Sequence, residues 1–327
     1  MLGRKLRDFI VEVKPKECVL LCHHNADPDS IGSAYALSKL LSRLLPDAGL
    51  SVVAPESVSS LSKRLIESLP DFEVYDDFES ADFLIMVDTC SFAQLGDLAS
   101  KVQGSSAPLV VVDHHAPHPE VSARASLLIV DDSASSTAEI VYSIYCDLSM
   151  RLEEFSALAL LVGMLYDSRR FINARSSTLR AAAHLIDAGA DYSKALSVLH
   201  VPMDISERIA RLKAAQRVKI YRVGDWVIAT SHVGSFEASA ARALIDLGAD
   251  VAFVAGGDDS SLRISARARG NFYSETGIHL GKDLMEIIGK MIGGAGGGHA
   301  TAAGANGVGN PEEALEICVK LLIEKLS

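Results

Sequence analysis

The stretch Glu17-Cys18-Val19-Leu20-Leu21-Cys22-His23-His24-Asn25-Ala26-Asp27-Pro28-Asp29-Ser30-Ile31-Gly32-Ser33 decides how the rest of the chain is read. Cys18 to Cys22 is an apolar run of the length of a buried strand, and it breaks off at His23, Asn25, Asp27 and Asp29. Beyond this polar elbow, Ser30 is placed to cap a helix carrying Ile31, Ala34, Leu37, Leu41 and Leu44 at helical spacing. Open α/β sheets take their ligands at the carboxyl ends of strands, which is where these side chains fall. Pro28 fixes its own φ and pushes Asp27 toward extended backbone, so the carboxylates of Asp27 and Asp29 can approach one another. They repel unless a cation lies between them. His23, four residues earlier, completes a mixed nitrogen and oxygen set suited to Mn2+, Zn2+ or Fe2+. Alone, Asp-Pro-Asp reads more readily as a solvated turn.

The same design recurs along the chain. Phe83 to Val87 ends in Asp88, Pro108 to Val112 runs into Asp113-His114-His115, and Leu127 to Val130 ends in Asp131 and Asp132. An almost wholly apolar helix from Leu152 to Tyr166 delivers Asp167, Arg169 and Arg170. With a further strand over Leu50 to Ala54, these runs predict an α/β fold. Residues 1–200 form a doubly wound parallel sheet with a site along one edge. Ser136-Thr137-Ala138-Glu139 has the spacing of a capping box and opens a helix through Cys146. Other helices are expected over Ser57 to Leu69, Ser177 to Ala188 and Ser193 to Leu199.

Residues 201–216, rich in arginine and lysine, read as a helical connector. Residues 217–327 read as a smaller α+β domain with a mixed sheet. Its strands are Val218 to Val223, Trp226 to His232, Val251 to Ala255 and Ser261 to Ala268. Its helices are Glu237 to Gly248, Gly281 to Met291 and Pro311 to Leu326, with a glycine-rich loop from Gly293 to Gly298.

The 327 residues, 49% apolar and 22% charged, are those of an ordinary two-domain globular protein. A net charge of −11 argues against binding long duplex nucleic acid and admits a short anionic substrate through bound cations. The five cysteines, odd in number and scattered, fit a reducing cytoplasm. The amino terminus lacks the apolar core of a signal peptide, and the longest apolar stretch, Phe155 to Leu165, is too short for a bilayer, so no membrane partner is expected. A homodimer stays open. Asp27, Asp29, Asp88, Asp113 and Asp167, gathered with His23, His114 and His115 on one sheet edge, cannot all stay ionised without cations. Two ions fit better than one, because a carboxylate can then bridge them.

The ordered series His23-x-x-x-Asp27-x-Asp29, Asp88, Asp113-His114-His115 and Asp167 resembles the four motifs of the DHH phosphoesterases. Gly296-Gly297-Gly298-His299 with Ala303-Gly304 resembles the C-terminal domain associated with that family, so the likeness covers nearly the whole chain. The resemblance implies that His23 and Asp27 hold one Mn2+, that Asp29, His114 and Asp167 hold a second, and that Asp88 bridges them. It implies that His115 lies beside the substrate phosphate while Asp113 orients the neighbouring imidazoles, which makes Asp88, Asp113, His114 and His115 the expected catalytic group. Arg267 would grip the phosphate, and Gly296, Gly297, Gly298 and His299 would close over the nucleotide. Among members, the layout is most similar to nanoRNase and oligoribonuclease-like enzymes and cyclic dinucleotide phosphodiesterases. The implied activity is two-metal hydrolysis of short oligoribonucleotides or dinucleotides to mononucleotides. Cyclic di-AMP and 3′-phosphoadenosine-5′-phosphate are alternative substrates, and a metal-dependent nucleotide sensor is the non-enzymatic alternative. The chain departs from the family where Asp-Thr-Gly is usual: Asp167 is followed by Ser168 and the bulky Arg169.

Overall fold

Runs such as Leu84-Ile85-Met86 and Val110-Val111-Val112 have no polar face to offer water, so as strands they must be covered on both sides. The computed structural model, which describes residues 1–258 and 260–326, places them at the centre of the first of two units, Met1–Val201. In chain order this unit comprises α1 (Leu2–Val13), β1 (Glu17–Leu21), α2 (Pro28–Leu44), β2 (Gly49–Val53), α3 (Ser60–Glu67) and β3 (Phe83–Val87). A 3-10 segment (Phe92–Leu98), α4 (Ala99–Gly104), β4 (Leu109–Asp113), α5 (Pro119–Arg124) and β5 (Leu127–Val130) follow. The unit ends with α6 (Thr137–Asp147), α7 (Glu154–Asp167), α8 (Ser176–Asp187) and α9 (Tyr192–Val198).

The five strands are all parallel, in the order β2-β1-β3-β4-β5. After β2 the chain returns past β1 to build the other half of the sheet, which opens a crevice at the carboxyl ends of β1 and β3. Cys18, Leu20, Ile85 and Val112 point into the larger core with α2, α6 and α7, while Val19, Leu84, Met86 and Val111 point into a second core beside Phe92, Leu95 and Val121.

Two tight contacts set the helices that carry site residues. A Cβ on Gly32 of α2 would lie 2.4 Å from the Ala159 carbonyl oxygen of α7, and one on Gly163 would lie 2.6 Å from Asp29 Oδ1. Glycine at both positions lets α2 and α7 approach until Asp29 is sealed between them. The start of α2 differs from expectation. Asp27, in extended backbone, caps it by accepting hydrogen bonds from the amides of Asp29 and Ser30, with Pro28 in the first turn. Ser30 instead donates to the Val87 carbonyl (3.2 Å), because proline starts a helix more readily than it continues one.

The second unit, Pro202–Ser327, contains α10 (Ile205–Gln216), β6 (Lys219–Val223), β7 (Trp226–Val233), α11 (Glu237–Asp246), β8 (Val251–Asp258) and β9 (Ser261–Ala268). It continues with α12 (Phe272–Thr276), a π-helical turn (Leu280–Met285), α13 (Glu286–Met291), β10 (Ala295–Gly298), β11 (Ala302–Gly307) and α14 (Pro311–Leu326). The sheet order is β10-β11-β9-β8-β7-β6, with β7 and β8 the parallel pair and α11 the crossover between them. The segment expected to be a connector packs on this sheet: Ala214 of α10 is buried and its carbonyl accepts from Ser231 Oγ at 2.9 Å. The glycine-rich stretch expected to be a loop is largely strand. Ala295–Gly298 pairs with Ala302–Gly307, which in turn pairs with β9. Alanine and glycine carry little strand propensity, so only the hydrogen-bond register makes these residues strands. Among the described residues no helix is long and apolar enough to cross a membrane.

Candidate metal centre

The site is built from the turns that follow β1, β3 and β4. After β1, His23 Nδ1 lies 2.8 Å from the His24 carbonyl, an arrangement that holds the ring proton on Nδ1 and leaves Nε2 unprotonated, where it accepts a long hydrogen bond (3.5 Å) from the Asp27 amide. That Nε2 is 3.8 Å from Asp27 Oδ1 and 3.9 Å from Asp88 Oδ2. Asp88 follows β3 in left-handed backbone, φ 59°, with its carboxylate buried. Its Oδ1 accepts a hydrogen bond from Thr137 Oγ1 at 2.7 Å and lies 3.8 Å from His114 Nε2.

Asp113 ends β4 and is fully buried. Its Oδ1 accepts from the His115 amide at 2.8 Å and sits 2.9 Å from His115 Nδ1, while its Oδ2 has no hydrogen-bond partner among the described residues. It thus orients His115, whose side chain remains 65% exposed. Asp29 is also fully buried: Oδ2 accepts from the Thr137 amide (2.7 Å) and Oδ1 from the Ala138 amide (2.9 Å). The amino end of α6 is therefore aimed at this carboxylate, where its dipole favours negative charge. Asp167, the last residue of α7, brings Oδ2 to 3.0 Å from His114 Nε2 without hydrogen-bond alignment, so that buried nitrogen is left unpartnered.

Two clusters with metal-ligand spacing result. His23, Asp27 and Asp88 form one, and Asp29, His114 and Asp167 the other, with the ligand atoms of each within 4.8 Å of one another. Asp88, Asp113, His114 and His115 form a third overlapping group. Electrostatics show what is missing. Burial pushes the Asp29 carboxyl well above the usual range, and Asp167 and Asp27 push it further. Burial likewise raises Asp88, with Asp29, Asp27 and Asp113 adding to it. Burial pulls the imidazoles of His23 and His114 down, but the carboxylates of Asp27 and Asp167 respectively, with other contacts, leave both raised. Carboxylates that resist ionising beside imidazoles that resist losing a proton mark a site short of positive charge. Together with the orphaned His114 Nε2, this donor set fits two divalent transition ions.

Sequence reasoning did not assign Thr137 and Ala138 to the site, although the helix start at Ser136 was legible. It also gave no sign of the backbone after Asp167. Arg169, Arg170 and Phe171 are all left-handed, with φ of 52°, 57° and 69°. For L-residues this costs on the order of 1–2 kcal/mol each. The turn is held by buried Ser168, whose Oγ donates to the Met164 carbonyl (2.5 Å) and accepts from the Phe171 amide (3.0 Å).

In the second unit, Arg267 lies on β9 opposite Ala302 of β11, and the Ala302 carbonyl accepts from the His299 amide at 2.8 Å. Arg267 and the end of the Gly296–Gly298 run therefore share one end of that sheet. Arg267 Nη1 donates to the Ala266 carbonyl at 2.9 Å, but its buried Nε has no hydrogen-bond partner among the described residues, and burial together with nearby Arg242 makes its charge costly. His299 is exposed. Gly298 has φ 135°, and a Cβ there would lie 2.6 Å from Ala303 Cα, so the turn requires glycine.

This fold, with its cluster of acids and imidazoles at the switch point of a five-stranded parallel sheet, defines the class: the chain belongs to the DHH family of phosphoesterases. The family description "DHH family, N-terminal domain" matches residues 17–164, and "DHHA1 domain" matches 226–327. An uncharacterized protein of Methanocaldococcus jannaschii is 35% identical over 331 residues, covering 97% of this chain and 98% of that protein. The cyclic-di-AMP phosphodiesterase GdpP of Bacillus subtilis is 28% identical over 342 residues, covering 97% of this chain and 48% of GdpP. The bifunctional oligoribonuclease and PAP phosphatase NrnA of Bacillus subtilis is 30% identical over 174 residues, covering 51% of this chain and 52% of NrnA. The matched regions thus span about half the length of the two Bacillus proteins.

Proposed function

We propose that this chain is a Mn2+-dependent phosphoesterase that hydrolyses short oligoribonucleotides or dinucleotides to mononucleotides in the cytoplasm. The observation that carries this reading is the pair of ligand clusters, His23, Asp27 and Asp88 beside Asp29, His114 and Asp167, with Asp88 within 4 Å of both histidine Nε2 atoms. Mn2+ or a similar ion held there would supply Lewis acidity toward a phosphoryl oxygen and a lowered pKa for water. The protein's own part is to fix the ligands. Thr137 orients Asp88, the α6 amides orient Asp29, and the His24 carbonyl sets the tautomer of His23. His115, braced by Asp113, offers an exposed ring nitrogen for a phosphate oxygen or a proton. Arg267, His299 and the Gly296–Gly298 strand are the proposed phosphate and nucleotide contacts of the second unit.

The test is a panel of substrates at fixed Mn2+: a diribonucleotide, cyclic di-AMP, 3′-phosphoadenosine-5′-phosphate and a long single strand. Mononucleotide is expected fastest from the diribonucleotide and slowest from the long strand. Similarity to GdpP over nearly the whole chain supports cyclic di-AMP as the second substrate to try. Tight binding of any of these with no product would instead favour a nucleotide sensor and overturn the enzymatic reading.

Two further outcomes are expected. Ligation requires neutral Nε2 on His23 and His114, and both imidazoles are held above their ordinary value in the metal-free protein. Protons therefore compete with metal from above about pH 6.5 downward, and each pH unit below weakens each site by up to roughly tenfold. Calorimetric Mn2+ titrations at pH 8.5 and pH 6 check this, and equal affinities would count against imidazole ligation. Arg267→Ala is expected to raise KM by roughly tenfold or more with a smaller change in kcat, as loss of a charge-assisted phosphate contact does. Steady-state kinetics on the diribonucleotide decide it.

A further inference from the structure

On β9, Leu262, Ile264 and Ala266 turn into the core that α13 and α14 cover, as do Ala303 and Ala305 of β11. Alternation sends Ser265 and Arg267, with Gly304 and Ala302 opposite them on β11, to the other face of the sheet. There α11 lays Ala240, Ala241 and Leu244 against Ala252 and Val254 of β8, the partners of Arg267 and Ser265. β11 and β10 lie beyond β9, and a Cβ on Gly297, which pairs with Gly304, would meet nothing within 4 Å. Ser265, Gly304 and Gly297 thus make a floor of small residues beside α11, low enough for a ligand to approach the backbone.

Two guanidiniums border this floor. Arg267 rises from β9, with Nη1 3.3 Å from Ser265 Oγ and its buried Nε without a hydrogen-bond partner among the described residues. Arg242 comes from α11, is exposed, and among the described residues forms no hydrogen bond or ion pair. Burial lowers the Arg267 guanidinium from the ordinary arginine value, and the charge of Arg242 beside it lowers it further. The neighbouring arginines are neutralised: Arg263 lies 2.9 Å from Glu237 and Arg269 lies 3.0 Å from Asp250. Arg242 and Arg267 have only each other. Two like charges held together with no carboxylate between them cost the free protein stability, and a phosphate placed between them removes that cost while accepting from both planar forks.

Resting on the phosphoesterase reading above, in which Arg267 contacts the substrate phosphate, we propose that Arg242 is a second binding residue of that contact, so that one phosphate is held between α11 and β9. The experiment compares the full-length parent, Arg242→Ala, Arg242→Lys, Arg267→Ala and the double alanine variant on a diribonucleotide in Mn2+, with melting curves of each protein free of substrate. Alanine suits a helix interior and relieves the repulsion, so Arg242→Ala is expected to melt no lower than the parent. Its KM should rise roughly tenfold, more than kcat falls, with Arg242→Lys recovering part of the loss. In the double variant KM should rise by less than the product of the two single effects, because both side chains act on the same phosphate. An unchanged KM in Arg242→Ala, a lowered melting midpoint, or single effects that multiply in the double variant would each overturn the shared contact while leaving the phosphoesterase standing. No hydrolysis by the parent would overturn both.

Discussion

Asp88→Asn is expected to lower phosphodiester hydrolysis by a factor of about a thousand or more, because it removes the charge shared by both proposed metal clusters. The substitution is close to isosteric, and asparagine tolerates the left-handed backbone that residue 88 adopts at φ 59°. Thr137 Oγ1, now 2.7 Å from Asp88 Oδ1, keeps an acceptor. Stability should move in opposite directions with and without metal. In the metal-free protein the Asp88 carboxyl is held well above the usual carboxylate range by burial and by Asp29, Asp27 and Asp113. A raised carboxyl destabilises the folded state at neutral pH, and the penalty fades as pH falls through its folded value. Removing the charge should therefore raise the melting midpoint of the metal-free variant above the parent's at pH 7.5. Excess Mn2+ should reverse the order, since the parent, with both clusters intact, gains more from binding. Melting curves in chelator and in Mn2+ read this crossing directly. A variant that keeps Mn2+ affinity and activity would end the two-metal account.

The second large effect is expected at a residue that offers no ligand atom of its own. Gly163→Ala places a methyl 2.6 Å from Asp29 Oδ1, 3.0 Å from Ala138 Cβ and 3.1 Å from Asp29 Cα. None of these can swing aside, because Asp29 is fully buried and held by the amides of Thr137 and Ala138. Overpacking of this kind costs about 1–3 kcal/mol, and the displaced Asp29 should also weaken Mn2+ binding. Gly32→Ala, with its Cβ 2.4 Å from the Ala159 carbonyl oxygen, should destabilise similarly through the same helix crossing. Gly104→Ala is the control, since a Cβ there meets nothing within 4 Å. Urea unfolding of the three variants, with Mn2+ titration of each, tests the idea. Gly163→Ala behaving like Gly104→Ala would show that the α2–α7 contact does not position the site.

Much of this was legible beforehand. Apolar runs ending in acid or imidazole foretold strands over Phe83–Val87 and Leu127–Val130 with the observed bounds, and foretold a parallel sheet in the first unit. The helix delivering Asp167 was equally plain from its apolar length. Less was legible where propensity is silent. β10 and β11, made of glycine, alanine and one asparagine, become strands through pairing with β9. The cap of α2 moved from Ser30 to Asp27 because Pro28 occupies the first helical position.

By itself the sequence determined the order of buried runs, the chemistry at their ends and the excess of negative charge, because periodicity and residue type are local properties of the chain. Tertiary structure alone decided that His23, Asp27 and Asp88 close into one cluster and Asp29, His114 and Asp167 into another. It decided as well that α6 aims its amides at Asp29, that two glycines let α2 and α7 touch, and that Arg169 stands left-handed. These depend on strand order and on helix approach set to within a few tenths of an ångström, and such precision is reached only when the whole core packs.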